Sequence, residues 1–201
     1  RYSKPRTSLR LAGRWQTLRI METKHPTKYY DNLTDFQEAQ QILHNYQKTH
    51  NIIRKDYLNL IELTFEFKND QKAFNTMYRA CLRELFSLIE SDLFNLNRLD
   101  NYPNYSDRDK FMVKFKKTFK QISKTWEKQD IKREYFGSKL ERLKDIKTER
   151  DRITHPKSPN DFKTTTTEDF DRFKTVFDEY DGFINNMMDG FFIGMKNYPI
   201  D

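Results

Sequence analysis

TDFQEAQQILHNYQKTHNIIRKDYLNLIELTFEFKNDQKAFNTMYRACLRELFSLIESDLFNLNRLDNY, residues 34–102, contains neither glycine nor proline. So long an interval without either breaker points to helix. Within it, Phe36, Ala39, Leu43, Tyr46, His50, Ile53, Tyr57, Leu60 and Thr64 recur in alternating steps of three and four, the spacing of one helical face. A continuous helix over 34–67 is about 50 Å long at roughly 1.5 Å per residue. A break near Asn51 gives two shorter helices with the same stripe, and both versions fit the pattern.

Asn69 and Asp70 supply a turn or cap, after which Phe74, Met77, Cys81, Leu85, Leu88, Leu96 and Leu99 mark one side of a second helix. Leu82, Phe86, Ile89 and Leu93 mark another side, so this helix is expected at the centre of the fold. DNYPNYSD (100–107) reads as a turn, with Ser106 and Asp109 placed like a capping box. Phe111, Phe115, Phe119, Ile122 and Trp126 predict a third helix, and Gly137 and Ser138 separate it from a short basic helix ending near Thr154. Pro156 and Pro159 force an exit there, because a residue before proline avoids the α region. A last long helix is predicted from Thr166 or Thr167 through Phe170, Phe173, Phe177, Tyr180, Ile184, Met187, Met188, Phe191 and Met195. The expected class is all-α, a bundle of four to six helices over residues 34–201 behind a basic arm at 1–33.

Composition agrees. Charged residues make up 33% and apolar ones 36% of the 201 residues, yet 17 Phe and 11 Tyr provide bulky side chains to bury. Long amphipathic helices accommodate that mixture better than a sheet. The single cysteine, Cys81, excludes an internal disulfide and a cysteine zinc cage, and on the apolar side of its helix it reads as a packed thiol. No run approaches the roughly 20 apolar residues of a membrane helix, and the start, RYSKPRTSLR, lacks the apolar core of a signal peptide. A soluble, cytoplasmic protein without membrane association is the expectation. The first residue is Arg1 rather than Met, which fits a trimmed product or a fragment.

The net charge is +7, and residues 1–30 hold all of that excess: eight basic side chains against Glu22 alone. A basic arm on a balanced body is an electrostatic footprint for a phosphate-rich partner such as RNA, DNA or an anionic surface, and equally the composition of a solvated chain end. Glycine-rich phosphate loops, His-Glu-x-x-His and EF-hand strings are missing, so no metal or cofactor is called for.

Of the histidines, His50 falls on a core position and His44 beside one, whereas His25 and His155 each precede a proline, where a side chain reaches solvent. Around the latter stands Thr148-Glu149-Arg150-Asp151-Arg152-Ile153-Thr154-His155-Pro156-Lys157. A guanidinium binds phosphate oxygens bidentately and stays charged, and an imidazole exchanges a proton near neutral pH. Together they suit attack of a ribose 2′-hydroxyl on its own phosphodiester: His155 moves the proton and Arg150 stabilises charge on the phosphate.

This string resembles the Arg-x4-6-His signature of the HEPN superfamily, in which a polar residue commonly follows the arginine, a place Asp151 fills. Arg19 and His25 have the same spacing, but apolar Ile20 follows the arginine and the pair lies in the arm, which makes it a decoy. The motif at the end of a penultimate helix, followed by a proline loop and a long final helix, is the family's order over residues 34–195. The resemblance implies a metal-independent endoribonuclease working as a homodimer, in toxin or phage-defence systems, with an antitoxin or other protein as a further partner. It implies Arg150, His155 and Asp151 as catalytic residues, with Arg152, Lys157 and Lys147 on RNA phosphates and Glu90 as a residue that orients Arg150 or Arg152. Toxins of one branch carry tyrosine two residues after the histidine; here that place is Lys157.

Five residues turn a helix by about 500°, leaving Arg150 and His155 roughly 140° apart, so they converge only if the helix end unwinds or a second copy contributes. The alternative is a non-catalytic helical scaffold or nucleic-acid- or protein-binding module, with Arg150 and Arg152 at a helix end and His155 as its cap.

Overall fold

Asn32 opens the first long helix: its side chain accepts a hydrogen bond from the Asp35 N–H at 2.9 Å. From there α1 (Leu33–Glu66) runs 34 residues without a break, so the stripe belongs to one helix. Ala39, Ile42, Tyr46, His50, Tyr57, Ile61 and Thr64 are its buried residues. The structure, a computed structural model, describes residues 27–196. Most of the basic arm, with Arg19 and His25, lies outside them.

Asp70 then caps α2 (Gln71–Leu99), accepting from the Lys72 and Ala73 N–H groups at 3.0 Å each. α2 is buried on more than one side, as a central helix must be; Leu82, Leu85, Leu88, Ile89, Leu93 and Leu96 are fully inaccessible. Packed against it are α1, α3 (Phe111–Thr125), α5 (Leu140–Thr154) and α6 (Thr167–Met188), while α4 (Gln129–Ser138) rests on α3, α5 and α6; a 3₁₀ turn follows α5 at Pro159–Asp161. Thr166 caps α6 in a reciprocal box with Asp169. The described residues are thus mostly helical, and among them no helix is long and apolar enough to cross a membrane.

The aromatic residues fill the space between α3, α4 and α6. Tyr135 stacks on Phe183 with ring centroids 4.2 Å apart, and Phe119 meets the same ring edge-on at 4.6 Å. Each such side chain contributes about 1.5–3 kcal/mol by burial alone. A chain so rich in charge folds because this narrow seam is aromatic.

Four details differ from the sequence reading. The third helix ends at Thr125, where Glu127 turns the chain with φ of 58°, and Gly137 and Ser138 lie inside α4 rather than at a boundary. A left-handed residue reverses the chain without glycine or proline, so composition gave no notice of it. Ser106 and Asp109 do not cap α3, whose first residue follows Lys110; Asp109 instead accepts from the Tyr102 hydroxyl at 2.7 Å. Helix α6 stops at Met188, and Phe191 leaves it to pack on Trp126 at 4.2 Å. Met195 lies in β2 (Ile193–Met195), which pairs in parallel with β1 (Lys28–Tyr30). Lys28 also donates from Nζ to the Leu99 carbonyl at the C-terminus of α2, where a cation is favourable.

Candidate functional site

Helix α5 ends where the sequence demands. His155 precedes Pro156 and adopts φ −127° and ψ 61°, outside the helical region, while its N–H still closes the last turn onto the Asp151 carbonyl at 2.9 Å. The chain then folds back through the 3₁₀ turn, which the Asp161 carboxylate fastens by accepting from the Lys157 N–H at 2.7 Å and the Ser158 N–H at 2.9 Å. Those two donors hold Asp161 below the ordinary carboxylate range.

Leu143, Ile146 and Ile153 anchor the buried side of α5. Arg150 lies flat on α2, its guanidinium 4.7 Å from the centroid of Phe86. Nη2 donates to Glu90 Oε1 at 2.9 Å and Nη1 stands 3.4 Å from Asp151 Oδ1. The side chain is only 17% exposed, and its Nε has no partner among the described residues. With Arg83, Ser87, Glu90 and Thr154 it lines a shallow concavity. Arg83 is a second cation at that place; on sequence it was one arginine among many.

His155 faces elsewhere. Together with Thr148, Asp151, Arg152, Lys157 and Asp161 it lines a groove of about 470 Å³ between the end of α5 and the following loop. His155, Arg152 and Lys157 are all exposed there. Lys147 pairs with Asp151 Oδ2 and covers Phe111, its Nζ 5.9 Å from the ring centroid. Asp151 therefore joins the two concavities: it touches Arg150 and Lys147 and forms part of the His155 wall. The structure brings Glu90, Arg150 and Asp151 into contact and gathers His155, Arg152 and Lys157 in one groove. Within one chain it gives Arg150 and His155 separate concavities, as the rotation of an unbroken helix requires.

Chemically, the groove offers an imidazole with two exposed cations. The concavity beside it offers a held guanidinium with donors to spare, since Arg has five and the contacts with Glu90 and Asp151 use a minority of them. Among the described residues no group of three or more His, Cys, Asp or Glu side chains could hold a metal ion.

Two further polar clusters escaped the sequence reading. Glu149, one turn before Ile153, accepts from the Tyr78 hydroxyl at 3.0 Å and from Arg172 at 3.0 Å, tying α2, α5 and α6 together. Deeper, Asp92 is wholly inaccessible and is held between His50 Nδ1 at 2.8 Å and the Tyr180 hydroxyl at 2.7 Å. Burial raises the Asp92 pKa, against the pull of His50 and Tyr180. The signals for this lock were His50 on a core position and an aspartate placed among leucines on a helix buried on several sides. No family model, curated protein or solved structure matches the chain.

Proposed function

We propose that this protein is a metal-independent endoribonuclease of the HEPN type, acting as a homodimer. The observation that carries the reading is Arg150-Asp151-x3-His155 at the very end of α5, with the imidazole exposed beyond the helix and the guanidinium held on Phe86 and Glu90. The helical setting and the long closing helix α6 support it.

In this reaction a ribose 2′-oxygen attacks the adjacent phosphorus and the bond to the 5′-oxygen breaks, leaving a 2′,3′-cyclic phosphate and a 5′-hydroxyl. His155 accepts the 2′-hydroxyl proton, and an imidazolium returns one to the departing oxygen. Arg150 stabilises the charge that grows on the phosphoryl oxygens, with Asp151 holding it in place. Arg152, Lys157 and Lys147 bind neighbouring phosphates. Since Arg150 and His155 line different concavities of one chain, the complete site draws on two copies. Such an enzyme suits a toxin or phage-defence role in the cytoplasm, with an antitoxin as its restraint.

The test is RNA cleavage in EDTA by the protein and by His155→Ala and Arg150→Ala. Loss in both variants, with cyclic-phosphate ends from the parent, supports the assignment. Equal activity in all three, or 3′-hydroxyl ends, removes it.

The separation of Arg150 from His155 also favours a second reading, a helical scaffold that binds nucleic acid or protein through its basic residues without cleaving it. That reading expects RNA to be bound but intact, with affinity lost when residues 1–26 are deleted.

A further inference from the structure

Behind the His155 groove lies a second, better enclosed cavity of about 140 Å³ between α2, α5 and the loop leading to α6. It shares Arg152 and Asp161 with the groove, so a strand whose phosphate occupies one reaches the other. Its floor is apolar and closed: Tyr78, Leu82 and Ile153 are 2%, 0% and 6% exposed. At the back, Glu149 is committed to Tyr78 and Arg172 and serves as wall.

The rim differs. Phe162 stands 44% exposed on the loop, an unusual place for so large an apolar ring, and the Arg79 guanidinium lies beside it, 5.7 Å from the centroid. Asp161 accepts the Lys157 and Ser158 N–H groups through Oδ2, and its Oδ1 accepts no hydrogen bond among the described residues. The cavity therefore presents an aromatic ring, a carboxylate oxygen and a forked cation around an apolar floor. The flat group whose edges answer all three is guanine. Its N1–H and N2–H₂ donate toward a carboxylate, O6 and N7 accept from an arginine, and its ring stacks on an aromatic side chain. Uracil and cytosine lack the N7 acceptor, and adenine lacks the paired donors.

We propose that this cavity binds one unstacked guanine base of a single-stranded RNA, next to the phosphate held in the His155 groove. Phe162 stacks on the ring, Asp161 accepts from its Watson–Crick edge, and Arg79 donates to O6 and N7. This rests on the endoribonuclease reading and makes that enzyme guanine-directed.

Calorimetric titration of the full chain in EDTA with GMP, AMP, CMP and UMP tests it. GMP is expected to bind at least tenfold more tightly than the other three. Asp161→Asn, which keeps an oxygen for the loop N–H groups, is expected to remove that preference. Phe162→Ala, a change at an exposed position, is expected to weaken GMP by about tenfold or more. Four nucleotides bound within threefold of one another, or GMP binding indifferent to both variants, overturns the proposal. None of these nucleotides can be cleaved, so the outcomes separate. Selective GMP binding without RNA cleavage leaves the cavity standing and fells the nuclease, whereas cleavage without base preference does the reverse.

Discussion

Glu90, in the C-terminal half of α2, accepts from Arg150 on α5 at 2.9 Å and fixes the guanidinium over Phe86. The two carboxylates that the guanidinium meets, Glu90 and Asp151, hold it oriented with only its outer edge exposed. Glu90→Ala is expected to lower the rate of RNA cleavage several-fold, with Glu90→Gln retaining most of it, because an amide oxygen still accepts the same donor. Arg150→Ala is expected to lose about 10²–10³ in kcat. Stability should change by no more than about 1 kcal/mol in the Glu90 variants, since that side chain is half exposed. Parallel kinetics and urea unfolding distinguish the effects.

The proposed site needs two copies, which makes association state a direct check. Mass measurement by light scattering should give twice the 24.6 kDa of the chain. Mixed dimers of the Arg150→Ala and His155→Ala chains should regain part of the activity that either homodimer lacks. A strict monomer that cleaves RNA would contradict the shared site.

Asp92 is the most consequential polar residue in the core. Its replacement by alanine leaves the His50 ring and the Tyr180 hydroxyl without their shared partner in a buried site, and is expected to cost about 2–5 kcal/mol. Tyr180→Phe removes only one donor and should cost about 1–2 kcal/mol. Both are read as shifts in the urea midpoint.

The Asp161 loop should respond to acid. Backbone donors at Lys157 and Ser158 lower its native pKa below 3.8, so the ionised form is the one the fold favours. The stabilisation is therefore present above pH 3.8 and is lost as pH falls through the lower native value. Hydrogen exchange at the Lys157 and Ser158 amides should show protection disappearing over that window, and Asp161→Asn should abolish its pH dependence.

Cys81 is wholly inaccessible, beside Thr64 Oγ1 at 3.2 Å, and burial pushes its thiol up to about 11. At pH 8 the folded protein should resist thiol reagents that label the urea-unfolded chain fully. Rapid labelling of the folded chain would show that α1 and α2 separate readily.

Much of the helical skeleton was legible because its signals are local. The stripe from Phe36 to Thr64 needs only the period of one helix, and the start of α6 needs only Thr166 and Asp169. The break at Glu127 was not legible, since nothing in Trp126-Glu127-Lys128 is a preferred left-handed residue. Nor were the strands, whose three residues each are too few for alternation to register. At the site, the motif and its place at a helix end drew attention to Arg150 and His155, and Glu90 came into view only through the family resemblance, since its distance from Arg150 is not encoded in the spacing. Phe86, Phe162 and Glu149 acquire meaning only through contacts with residues far along the chain, which periodicity does not encode.

The parallel pairing of Lys28–Tyr30 with Ile193–Met195 fastens the beginning of the described fold to its end. Lys28 and Ile193 pair across most of the described chain, so closing this clasp on an unfolded chain carries a large loop-closure entropy, which the packed helices between them reduce. Lys28 thereby takes part in two contacts, the pairing with Ile193 and the hold on the Leu99 carbonyl at the C-terminus of α2. Opening the clasp would therefore release both ends of the described fold and the C-terminus of α2 together.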